Sequence, residues 1–150
     1  LDLASYPMGW IAASNSIYNR DYANVAELAR ERIVTYSKNS LPHQQVLSLM
    51  QANGVLAPRL NCVNSVSAIT RLLRDGFGIG ALPPVLVREE LARGELTLLA
   101  IEQRPPNLQV VVSWRVGVEL VEDIVELCQR VVQRYGQKVG ADYLVLMEPQ

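Results

Sequence analysis

Apolar residues in this chain fall in short blocks, separated by clusters of polar residues, glycine and proline. Leu1 to Ala13 reads as strand material, and Trp10-Ile11-Ala12-Ala13 is a continuous apolar run of strand length. Tyr18 to Asp21 is polar loop. Asn24 to Arg30 predicts a short helix with Ala26, Leu28 and Ala29 on one face. Arg32 to Tyr36 is rich in β-branched residues and predicts a strand. The loop Ser37-Lys38-Asn39-Ser40 follows. Pro42 then sits in the first turn of a helix, where a missing N–H costs nothing. Val46, Leu47 and Met50 recur there at helical spacing, and Asn53-Gly54 closes the element.

Arg59 to Val63 predicts the next strand. Asn64 is placed to cap a helix over about Ser65 to Arg74, with Val66, Ile69, Leu72 and Leu73 inward. Asp75-Gly76 stops it. Ile79 to Leu82 is a strand broken by Pro83-Pro84, Val85 to Ala92 a helix closed by Arg93-Gly94, and Leu96 to Ala100 a strand. After the turn Arg104 to Asn107, Leu108 to Trp114 predicts a longer strand. Val118 to Tyr135 predicts the longest helix, with Leu120, Val121, Ile124, Leu127, Cys128 and Val131 on one stripe and Gly136 as its end. Ala141 to Met147 is a last apolar piece with no assigned role. This alternation of strands and helices predicts an α/β fold with a mostly parallel sheet.

Composition sharpens the picture by exclusion. Of 150 residues, 49% are hydrophobic and 19% charged, too apolar for a disordered chain. That length suits one compact domain, or less readily two. No run reaches the roughly 18 uncharged apolar residues of a membrane span. The net charge of −1, with arginines scattered along the chain, leaves no basic footprint for nucleic acid. Cys62 and Cys128 read as buried free thiols, which points to a reducing compartment and a cytoplasmic protein. With one histidine, His43, and no CxxC or HExxH, a His/Cys metal site is not expected, and no cofactor is implied. The opening on Leu1 in strand-like residues suggests that the chain is a fragment or that earlier residues precede it.

The segment Gly76-Phe77-Gly78-Ile79-Gly80-Ala81-Leu82-Pro83-Pro84, followed by Glu90-Leu91-Ala92-Arg93-Gly94-Glu95-Leu96, resembles LysR-type transcriptional regulators. In that family a "GxGIALLP" strand precedes a short helix ending in "ELAxGxL". Tyr6 to Ala13 is similar to the strand that ends the first half of the family's effector domain, and Val25 to Ala29 to its "LADLA" helix. Val63 to Arg74 is similar to the helix before the glycine strand. The resemblance covers about residues 1 to 136. It implies a two-lobed, type-II periplasmic-binding-protein-like fold, with the second lobe complete and the first partial. Residues 1–13 would end the first subdomain and 14–113 would form the second. Residues 114–136 would return to the first, leaving 137–150 as a tail. The family's winged helix-turn-helix and linker helix have no counterpart here.

A nucleotide-binding reading of Gly76, Gly78 and Gly80 fails on order and spacing, because these glycines end a helix and enter a strand. Gly76 instead supplies a positive φ at a helix end, and Gly78 and Gly80 permit close backbone approach. Helix starts at the carboxyl ends of strands offer free N–H groups to anions. Two such places stand out, Ser37-Lys38-Asn39-Ser40 and Asn64-Ser65. In the family the polar residues at these positions face the cleft between lobes and touch the effector. Carried over, that points to Ser37 and Asn64 first, then Lys38, Asn39 and Ser65, with Pro83 as a further lining residue and Leu82 beside it as core. The competing reading makes Ser40 and Asn64 plain helix caps. His43 reads as solvated or at a pocket edge, and Glu89-Glu90 as a solvated face.

Three functions follow for comparison. The first is the sensing module of a regulator that binds a small effector, such as an anionic metabolite, and meets DNA only through a domain outside this chain. The second is a solute-binding protein of the same fold serving a transporter. The third, an enzyme, lacks a convincing acid, base or nucleophile. The resemblance also implies self-association as a homodimer or homotetramer, with the Val85–Ala92 helix and the Ile33–Tyr36 strand as candidate faces.

Overall fold

A computed structural model describes residues 1–115, 117 and 121–147 of the chain. Two compact units form, one from residues 8–106 and one from residues 1–7 with 107–150.

The larger unit is a five-stranded sheet built from β2 (Gly9–Ala13), β3 (Ile33–Thr35), β4 (Leu60–Cys62), β5 (Ile79–Leu82) and β6 (Leu96–Leu98), in the order β4-β3-β5-β2-β6. β3 pairs in parallel with β4 and β5, while β2 pairs antiparallel with β5 and β6. The sheet is therefore mixed, not mostly parallel as the alternation predicts. A continuous apolar block such as Trp10–Ala13 carries no mark of strand direction.

Period-2 alternation divides β2, β3 and β5 between two cores. Trp10, Ala12, Ile33, Ile79 and Ala81 pack with Val25 and Leu28 of α1 (Val25–Leu28) and Val46 and Met50 of α2 (Leu41–Ala52). Ile11, Ala13, Val34 and Leu82 pack with Ile69 and Leu73 of α3 (Val66–Arg74). A short 3₁₀ turn, Pro84–Val87, leads into α4 (Arg88–Ala92), where one continuous helix is expected. Gly76 has φ +72 just past α3, as expected, and Gly94, which closes α4, has φ +73. A Cβ at Gly78 would collide with the carbonyl of Arg32, the close approach that this glycine permits.

The smaller unit holds an antiparallel sheet in the order β7-β1-β8, from β1 (Asp2–Tyr6), β7 (Leu108–Val111) and β8 (Val145–Leu146). β7 stops three residues short of the predicted Trp114. The apolar piece without an assigned role becomes β8. α5 (Val121–Val139) runs through Gly136, which does not end it. Gly136 is buried, and a Cβ there would lie 3.1 Å from Leu146 and 3.3 Å from Leu144, so its missing side chain lets the tail approach. Gly140, at φ +91, follows the helix end. The predicted start at Val118, with Leu120, and the last three tail residues lie outside the described residues. Of the apolar stripe, Ile124, Leu127 and Val131 are exposed.

Candidate functional site

β4, β3 and β5 lie side by side and parallel, with Thr35 opposite Cys62 and Ile33 opposite Ile79. Their carboxyl ends therefore share one edge of the sheet. Ser37, Lys38 and Asn39 leave β3 there, Asn64 and Ser65 leave β4, and Pro83 leaves β5. Ser37, Lys38, Asn39 and Asn64 are exposed, Ser65 is half-buried and Pro83 is buried.

Two helices begin at this edge. Ser40 caps α2, its hydroxyl accepting from the His43 N–H at 3.4 Å while donating to the Ser37 carbonyl at 2.7 Å. Ser65 caps α3, its hydroxyl accepting from the Ala68 N–H at 3.3 Å. The cap of α3 is thus Ser65, not Asn64, because the helix starts one residue later than predicted. Asn64 is freed from capping. Neither helix has an acidic residue in its first turn, so both positive dipole ends are left uncompensated by a carboxylate of their own. The edge is suited to an anion.

Beneath the two loops lies a cluster that the sequence reading misses. His43 is only 5% exposed, so it is neither solvated nor at an edge. Its Nδ1 lies 2.9 Å from Thr35 Oγ1 and 3.5 Å from Cys62 Sγ. The signal was present. His43 stands three residues before Val46 and seven before Met50, on the buried stripe of α2. Cys62 is exposed on β4, and Cys128 is half-buried on α5, so neither is the fully buried thiol expected, though both are free. The difference at Cys62 follows from the sheet order, which makes β4 an edge strand. Tyr36, between the cluster and Ser37, has its phenol pushed up to about 12 by burial.

β3 cannot supply a self-association face, since it lies between β4 and β5 with all three residues buried. Elsewhere in the larger unit, a concavity of about 430 Å³ is lined by Ser14, Asn15, Arg71, Arg74, Asp75 and Glu95, among others. Its arginines are already paired, Arg71 with Asp75 and Arg74 with Glu95.

The LysR substrate binding domain profile matches residues 1–134. The chain belongs to that family. No curated protein sequence matches it. Among solved structures, this LysR substrate-binding domain is similar to the regulatory domain of NMB2055 (MetR), a LysR family regulator from N. meningitidis. The TM-score is 0.72 at 18% identity, over 99% of this chain and 68% of that one. The Synechocystis PCC6803 CcmR regulatory domain, solved in complex with 2-PG, matches with TM-score 0.67 and 19% identity over 87% of this chain. The effector binding domain of QuiR, in complex with shikimate, matches with TM-score 0.67 and 18% identity over 93%. The chain spans 65% of the length of the CcmR and QuiR domains. These similarities establish the periplasmic-binding-protein-like fold.

Proposed function

We propose that this LysR substrate-binding domain is the ligand-sensing part of a transcriptional regulator. It binds a small anionic effector at the loops Ser37–Asn39 and Asn64–Ser65, with Pro83 beside them. The observation that carries the site is the shared edge. Two adjacent parallel strands end in polar loops, and each loop opens a helix whose first turn holds no carboxylate. An anion there meets free N–H groups, the Ser37 hydroxyl and the Asn64 amide. Lys38 adds a positive charge. Similar domains of this family hold small ligands, 2-PG and shikimate, which supports the same class of use here.

The regulator acts from the cytoplasm, as a homodimer or homotetramer, and reaches DNA through a winged helix-turn-helix outside these residues. Effector binding works by favouring one arrangement of the protein over another, because a ligand of equal affinity for both shifts nothing. The role is binding, not catalysis. Isothermal titration of the full regulator against a panel of small carboxylates, including benzoate, tests the reading. At least one saturable one-site isotherm is expected. Failure of every carboxylate, with neutral analogues binding instead, overturns the anionic assignment.

A further inference from the structure

We propose that Cys62 is an electrophile-reactive thiol that adds to α,β-unsaturated carbonyl compounds, with His43 as the base that moves its proton. This goes beyond effector sensing and does not depend on it, because the chemistry needs only the Cys62 thiol and the His43 imidazole beneath the loops.

The geometry joins an accessible nucleophile to a buried base. Cys62 is exposed on the edge strand β4, while His43 is 5% exposed and turns Nδ1 toward the sulfur at 3.5 Å. Thr35 is fully buried beside them, with its Oγ1 2.9 Å from Nδ1 and 3.9 Å from the sulfur. The Thr35 hydroxyl has another acceptor, the Tyr36 carbonyl at 3.3 Å. The sulfur thus lies within hydrogen-bond reach of Nδ1, on a ring that Thr35 holds in place. The thiolate is the reactive form of cysteine, and a base within reach of the thiol proton can take it as the sulfur attacks.

The reaction balances without an oxidant or a second protein thiol. The sulfur lone pair forms a bond to the β-carbon, and the alkene π pair moves onto the α-carbon and carbonyl oxygen. The proton that Nδ1 took from the thiol is then delivered to the α-carbon, leaving a saturated thioether and a neutral imidazole. Elimination reverses each step. Among the described residues, no group of three or more His, Cys, Asp or Glu is placed to hold a metal ion, so the pair is not part of a metal cluster.

The test uses the folded chain with N-ethylmaleimide as the unsaturated carbonyl probe, and peptide mass spectrometry to separate the two cysteines. At neutral pH Cys62 is expected to react at least about tenfold faster than free glutathione, a rate that exposure alone does not give. His43→Asn is expected to remove the advantage and to leave the Cys128 rate unchanged. A Cys62 rate at or below that of glutathione in the wild-type protein overturns the proposal, whether or not the His43 variant folds. A fast Cys62 that stays fast in folded His43→Asn overturns the role of the histidine.

Discussion

Thr35 pairs with Cys62 across β3 and β4, and the chain leaves both strands within two residues of that pair, at Ser37 and at Asn64. One parallel register thus brings together two loops that lie more than twenty residues apart in sequence. Where that register holds, the polar groups of both loops sit at one sheet edge above a buried histidine. The separation of structural from binding roles follows from the caps.

Ser40 and Ser65 carry the caps of α2 and α3, so Ser40→Ala and Ser65→Ala are each expected to lower stability by about 1 kcal/mol. Asn64→Ala, at an exposed position with no cap to lose, is expected to change stability by less than about 0.5 kcal/mol. Urea denaturation of the three variants checks this. A loss at Asn64 equal to that at Ser65 would place the cap on the wrong residue.

Gly78 cannot carry a side chain at its present position. A Cβ there meets the Arg32 carbonyl, which accepts from the Ile79 N–H at 2.8 Å and helps to hold β5 beside β3. Gly78→Ala is expected to lower stability by about 2 kcal/mol, through displaced backbone and not lost apolar burial. Gly94→Ala tests a different cause, positive φ with open space around it. Its cost is expected near 1 kcal/mol.

Tyr36 gives a pH signature. Its phenol is raised to about 12 by burial, against about 10 in the unfolded chain, so the folded state favours the protonated form. The associated stability is fully present below pH of about 10 and is lost as pH rises toward about 12. Tyr36→Phe is expected to reduce the alkaline loss by about 2 kcal/mol between those limits. Tyr6 and Tyr22 are also raised by burial, so part of the loss persists in the variant. An unchanged alkaline slope in Tyr36→Phe would show that the phenol is not buried.

Local chemistry made much of this fold legible, and the failures have local causes too. Gly76 and Gly78 act as their surroundings require, one by its dihedral and one by contact. Gly136 misled because a glycine near the end of a periodic run reads as a stop, whereas here it accommodates Leu144 and Leu146. The misplaced cap arose because Asn64 and Ser65 are both good capping residues, and only the helix start distinguishes them. Trp10–Ala13 marks a buried strand without giving its direction, which hid the antiparallel half of the sheet. Ile124, Leu127 and Val131 have the spacing of an inward stripe yet face outward, since periodicity records an apolar face and not what covers it. At the candidate site, the two loops could be read from strand–helix order, while the choice of Ser37 and Asn64 within them came from the family resemblance. Below them, the burial of His43 could be read from its place on the α2 stripe, but its meeting with Thr35 and Cys62 could not, because that needs the β3–β4 pairing and the packing of α2.

The proposed effector site requires Ser37 and Asn64 to hold an anion. The most direct measurement is the affinity of the protein for a carboxylate that it binds, compared with Ser37→Ala and Asn64→Ala at constant stability. Each substitution is expected to weaken binding roughly tenfold or more, as a lost hydrogen bond to a charged group does. Ser16→Ala, away from the sheet edge, should leave it unchanged. Affinity that is unaltered in both Ser37→Ala and Asn64→Ala would contradict the site.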